Sequence, residues 1–221
     1  HHRYETALNY RNYCRENGIS KPGDPQDFQM IYLVDMEHPG LVVFPTHRLV
    51  RDLPNFDKEA VLEKCSEFFY IDEKEGTDTM EEDLKKLYDE GKKAFGFYCG
   101  KGEWFLLTLK NIDFMSQMLP NVSKASQSLD VSVLHTLILE KIFGIDKENM
   151  AKQINLTYTK FFTEAIDGVD KGEFQCSFVL NPTRVTEIRD VAAAGEKMPQ
   201  KSTYFYPKMI TGMVMNNLGV D

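Results

Sequence analysis

The sequence predicts an α+β fold, a mixed or antiparallel sheet with flanking helices, on three observations. Helical and strand periodicities alternate along the chain without a fixed repeat. Neighbouring strand candidates are joined by turns too short for parallel crossovers. The 221 residues, 42% hydrophobic and 27% charged, suffice for a substantial core, which removes disordered and low-complexity classes.

Taken in order, a first helix under way at Arg3-Tyr4-Glu5-Thr6-Ala7-Leu8 runs to about Glu16 and stops at Asn17-Gly18. Residues 20–27, centred on Lys21-Pro22-Gly23-Asp24-Pro25, read as a turn or linker inside what is otherwise a single α+β unit over 1–221. Phe28 to Met36 and Leu41 to Phe44 are β-rich, and Glu37-His38-Pro39-Gly40 between them reads as a hairpin turn. Thr79 and Glu82 form a capping-box pattern for a helix to about Glu90. Lys93 to Tyr98 and Glu103 to Leu109 form a second hairpin around Cys99-Gly100-Lys101-Gly102.

Asp130 is expected to cap the strongest helix, where Val131, Leu134, His135, Ile138 and Ile142 recur at helical spacing before Gly144. His135 lies on that apolar stripe, so it is expected to be a buried, hydrogen-bonded histidine, bonded to a motif residue that it orients. Phe174 to Leu180 is a strand, Asn181-Pro182-Thr183 leads into a helix to about Ala194, and Tyr204 to Tyr206 and Met209 to Met215 are extended.

The net charge of −8 argues against a protein that clamps nucleic acid over most of its surface. Residues 57–90 carry 13 acidic and 5 basic side chains, an excess equal to the net charge of the whole chain. Residues 181–210 reverse the sign, with Arg184, Arg189, Lys197, Lys201 and Lys208 against Glu187, Asp190 and Glu196, and are the candidate surface for an anion. Cys14, Cys65, Cys99 and Cys176 are too widely spaced for a zinc motif or a disulfide framework and read as reduced thiols of a cytoplasmic protein. No apolar run approaches the ~18 residues of a membrane span. Metalloprotease, nucleotide-loop and nucleophile-elbow motifs are absent, and no metal-ligand spacing is found.

Three segments carry candidate chemistry. His1-His2-Arg3 at a helix start suits phosphate, because free backbone N–H groups and a planar guanidinium both favour anions, although a terminal histidine pair also reads as the end of a tag. In Phe44-Pro45-Thr46-His47-Arg48 a strand breaks and presents a hydroxyl, an imidazole and a guanidinium, which reads as an anion or proton-transfer site or as a surface-paired strand end. Gly195 to Lys208 gathers Lys197, Lys201, Ser202, Tyr204 and Lys208 around Pro199 and Pro207, which suits a loop closing over a charged planar ligand or a plain surface loop.

Together HHRYETAL, FPTHRLV at 44–50, LDVSVLHTLILEKIFGI at 129–145, FVLNPT at 178–183 and GEKMPQKSTYFYPK at 195–208 resemble the prokaryotic family known as domain of unknown function 1015. In that family the first motif reads Asp-Gly-His-His-Arg, so the resemblance implies that His1 and His2 are native and that the chain is the C-terminal part of a longer protein. The motif is similar to the phosphate-binding box of the partition-protein-B and sulfiredoxin-like superfamily, which includes kinases of free serine. The resemblance implies phosphoryl transfer at serine or phosphoserine by an ATP- or ADP-dependent small-molecule kinase or phosphatase, with magnesium. Arg3, Arg48, Ser202, Tyr204 and Lys208 are then expected to bind phosphate or nucleotide, and His2, His47 and Lys201 to be catalytic. A nucleotide-gated DNA-binding regulator of the partition type and a non-catalytic metabolite-binding protein are the rival readings.

Overall fold

Fifteen residues, His2–Glu16, form helix α1, which ends at Gly18 in the left-handed region at φ 69°. The computed structural model describes residues 2–208, 212 and 215–218, His2 by its backbone alone. Met209 to Met215, expected as an extended segment, lies largely outside the described residues. The chain divides into two compact units rather than the single one expected, residues 1–41 with 207–221 and residues 42–206.

In the first unit the stretch expected as a linker folds back on α1. Asp27 accepts Arg15 Nη2 at 2.5 and 2.6 Å and the Gly23 N–H at 2.6 Å, so Pro25–Asp27 closes into a 3-10 turn. These donors hold the Asp27 carboxyl below its ordinary range, the Gly23 N–H more than Arg15. The expected strand over Phe28 to Met36 does not form. That stretch has no ladder partner among the described residues, and Phe28 and Leu33 are 66% and 84% exposed.

The second unit opens with strands β1 (Val42–Phe44) and β2 (His47–Val50), then helix α2 (Lys58–Cys65), strand β3 (Phe69–Glu75) and helix α3 (Met80–Asp89). The Thr79 hydroxyl donates to Asp83 at 3.4 Å and caps no backbone group, so the helix forms without the capping box expected for it. Strands β4 (Ala94–Tyr98) and β5 (Glu103–Leu109) form the expected hairpin, followed by the short helices α4 (Asp113–Met118), α5 (Lys124–Gln127) and α6 (Asp130–Val133). Asp130 is the first helical residue and not the cap, because its carboxylate pairs with Lys93 at 2.8 Å.

Beyond α6 the expected α-helix widens into a π-helix over Leu134–Glu140, with i+5 bonds such as Lys141 N–H to the Thr136 carbonyl at 3.2 Å. Helix α7 (Lys147–Lys152), strand β6 (Leu156–Thr159), helix α8 (Phe162–Asp170), strand β7 (Cys176–Val179), helix α9 (Val185–Ala193) and strand β8 (Tyr204–Tyr206) complete the unit.

Six strands pair antiparallel in the order β3-β5-β4-β7-β2-β6, and β1 pairs with β8 in a separate ribbon. Side chains alternate across the sheet. Val50, Phe95, Phe97, Phe105, Leu107 and Phe178 pack with Leu134, Leu137 and Ile138 of the π-helix, and Ala94, Tyr98, Trp104, Leu106 and Val179 pack with α3 and α8. Among the described residues no helix is long and apolar enough to cross a membrane, and all four cysteines are free thiols.

Candidate functional site

His47 and Arg48 are adjacent on β2, so their side chains go to opposite faces of the sheet. His47 is 2% exposed, and its Nδ1 accepts the Leu180 N–H at 3.2 Å. Burial first, and then the neighbouring guanidinium, push its pKa down to about 4. It is a neutral imidazole tying β2 to the end of β7, and it does not line the cavity described below.

Arg48 is 1% exposed, and no carboxylate of the described residues pairs with it. Its Nη1 donates to the Thr46 carbonyl, and its Nη2 lies 3.1 Å from the Lys201 carbonyl and 3.2 Å from His135 Nε2. Cζ stands 5.4 Å from the centroid of the Tyr158 ring, and Nε has no partner among the described residues. Burial lowers its pKa to about 10, which still leaves a full charge at neutral pH. A buried cation without a carboxylate is costly, by several kcal/mol even after relaxation.

His135 and Tyr158, the two side chains against that guanidinium, line a cavity of 620 Å³. Leu119, Val122, Met150 and Pro199 make part of its lining apolar, α6 supplies Ser132, and the π-helix supplies Thr136 and Glu140 beside His135. Lys147, Lys197, Glu140 and Glu196 all line it, so the lining charges balance and Arg48 behind them tips the charge positive. A volume of several hundred Å³ with convergent polar groups is the usual form of a metabolite site.

The rim is the Gly195 to Lys201 loop, held down at two points. Glu196 accepts the Ser123 N–H at 2.7 Å, the Ser123 hydroxyl at 2.6 Å and the Ser126 hydroxyl, and these donors lower its pKa. Lys201 takes a left-handed conformation at φ 56° that aims its carbonyl at Arg48, while its side chain is exposed. Ser202 is buried, its hydroxyl donating to the Pro199 carbonyl at 2.6 Å.

The structure therefore brings together Arg48, Lys201 through its backbone, Ser202 and the expected loop. Tyr204 lies on β8, where the Lys160 ammonium sits 4.5 Å from its ring centroid. Arg3, exposed on α1, and Lys208, also exposed, belong to the first unit. His1 and the side chain of His2 lie outside the description. His135 is half-buried and bonded to a motif arginine, the hydrogen-bonded state that its place on the apolar stripe predicts. Tyr158, Ser123 and Ser126 had no signal in the sequence, because each acts on a residue more than thirty positions away.

Solved structures similar to the chain include a conserved hypothetical protein from Pyrococcus furiosus, 19% identical with a TM-score of 0.45, covering 79% of this chain and 60% of that one. A free serine kinase in complex with AMP is 16% identical with a TM-score of 0.43, covering 79% and 57%. The chain thus spans less than two thirds of the length of each. No curated protein matches it. The sequence pattern of the family described as protein of unknown function (DUF1015) matches residues 1–132, more than half of the chain, and the chain belongs to that family.

Proposed function

We propose that this protein binds a nucleotide or small phosphorylated metabolite in the 620 Å³ cavity and serves cytoplasmic phosphoryl transfer at the serine node. The observation that carries the reading is Arg48, a buried guanidinium without a carboxylate among the described residues, set directly behind two side chains of the cavity wall. A fold that keeps such a charge has a use for an anion nearby. Phosphoryl transfer needs positive charge around the transferring group and little covalent help from the protein. Arg48, Lys147 and Lys197 supply that charge here, and the apolar wall accommodates the uncharged part of the ligand.

By its likeness to the partition-protein-B and sulfiredoxin-like box, the His-His-Arg box of the first unit is read by itself as a phosphate-binding element, with Arg3 as the phosphate ligand and His2 beside it. The exposed Lys201 ammonium is assigned to the charge that develops during transfer, and Tyr204 and Lys208 to the nucleotide. Among the described residues no three metal-ligating side chains are grouped, and Glu196 is occupied by Ser123 and Ser126. Magnesium accordingly enters this reading on the phosphates of ATP or ADP, without a protein cage.

The test is isothermal titration of the full-length protein with ATP and ADP, together with a serine-dependent phosphate-transfer assay. Arg3→Ala is expected to weaken nucleotide affinity by about ten- to a hundred-fold, the worth of a charge-assisted contact, with the fold intact. Lys201→Ala is expected to lower turnover more than affinity. Tight duplex-DNA binding at physiological salt without nucleotide binding would favour the partition-type regulator. Nucleotide binding without transfer would favour a metabolite sensor.

A further inference from the structure

We propose that His135 presents a fixed Nδ1–H donor into the cavity for an anionic oxygen of the ligand, and that Arg48 is the positioning residue that fixes this tautomer. The inference rests on the reading that the cavity takes a phosphorylated ligand.

A guanidinium has donors only. With Arg48 Nη2 3.2 Å from His135 Nε2, that ring nitrogen must accept, and the single proton of a neutral imidazole then resides on Nδ1. No described residue accepts from Nδ1, and the side chain lines the cavity, so the donor faces the space a ligand would fill. A second proton on the ring would set two cations side by side in a buried site. Burial and Arg48 accordingly hold the imidazole pKa well below its ordinary value.

Arg48 itself is too enclosed to meet the ligand, and its field reaches the cavity through the polarised ring. The other charged or titratable side chains sharing the cavity are Glu140, Lys147, Tyr158, Glu196 and Lys197. The π-helix contributes by bringing His135, Thr136 and Glu140 to the same cavity, a placement that i+5 turns allow.

The primary test needs no ligand. Nitrogen-15 spectra of the histidine rings in the free protein are expected to show His135 protonated at Nδ1 and unchanged between about pH 5.5 and 8. An Nε2–H ring, or one that titrates as an ordinary histidine, would overturn the inference. Arg48→Lys should keep the Nδ1–H form because it keeps a donor and a charge, whereas Arg48→Met should release the tautomer and raise the ring's pKa.

The second test is titration with ADP. His135→Gln can accept from Arg48 and donate to the ligand, so its affinity should stay within about threefold of wild type, whereas His135→Phe should lose about tenfold or more. Equal affinities for wild type and His135→Phe would overturn the role. If wild type binds neither ADP nor inorganic phosphate while the ring is Nδ1–H, the function reading falls and the anionic target of the donor falls with it. An Nε2–H ring in a protein that does bind ADP would overturn this inference alone.

Discussion

Two cations of the same unit, the half-buried Lys93 and the fully buried Arg48, are treated in opposite ways. The Lys93 ammonium, at the start of β4, lies 2.8 Å from Asp130 and 2.9 Å from Glu187, so it joins the first turns of α6 and α9 to the sheet. Burial alone would lower its pKa, but the two carboxylates outweigh that and raise it. Burial raises the Asp130 carboxyl in turn, against the pull of Lys93. The Arg48 guanidinium has two carbonyls, a ring nitrogen and an aromatic face, and no carboxylate among the described residues. A charge neutralised on the spot holds scaffold together. A charge left without a counter-ion behind a cavity wall can polarise the groups that line it.

Removal of each charge gives the largest contrast. Lys93→Met strands Asp130 and Glu187 in a half-buried site, so it is expected to lose about 3–5 kcal/mol of folding stability, as when one partner of a buried pair is deleted. Arg48→Met removes a buried charge that has no counter-ion, which offsets the loss of donors to the Thr46 and Lys201 carbonyls, and is expected to fall within about 1 kcal/mol of wild type. Urea unfolding with unchanged m-values measures both. Equal losses would erase the distinction between scaffold charge and site charge.

The next effect concerns pH and the other face of the sheet. His47 titrates near 4 in the folded chain and near 6.5 when unfolded. Between those values the unfolded chain binds more protons. Stability is therefore full above about pH 6.5 and falls as pH drops towards 4, by roughly 3 kcal/mol for this residue. His135 acts in the same direction. His47→Gln should flatten the fall of the urea midpoint across that window. A midpoint that rises on acidification through it would refute the neutral, backbone-bonded imidazole.

Local chemistry made much of the fold readable and long-range pairing hid the rest. The β4–β5 hairpin is legible because Gly100, Lys101 and Gly102 all take positive φ in a short turn between two apolar runs. The Phe28 to Met36 pattern is as apolar as a strand, yet a strand exists only with a partner. The following Val42–Phe44 finds its partner in Tyr204–Tyr206, a pairing no spacing announces. The Asp130 and Thr79 caps fail for one reason, since a nearby cation or acceptor competes for the same side chain. Of the candidate site, the loop from Gly195 and the Arg48 strand were visible by composition. The π-helical turns and the Glu196 clamp to Ser123 and Ser126 were not, because i+5 bonding and contacts across seventy residues leave no periodic trace.

The smallest expected effect separates backbone from side chain at Lys201. Arg48 Nη2 takes the Lys201 carbonyl at 3.1 Å, and the left-handed φ of 56° is what aims that carbonyl. Lys201→Ala keeps the same Cβ and the same carbonyl, and Lys201→Gly relaxes the conformation, so ADP affinity should change by no more than about twofold in either, as for ordinary surface substitutions. Lys201→Pro cannot reach a positive φ, because its ring fixes φ near −65°. It should displace the carbonyl, loosen the Arg48–His135 contact and lower ADP affinity, as is expected of Arg48→Met for the same reason. The three titrations decide the matter together. If Lys201→Ala alone abolished affinity, the ammonium would be the group that holds the ligand, and the carbonyl's hold on Arg48 would lose its place in the account of the cavity.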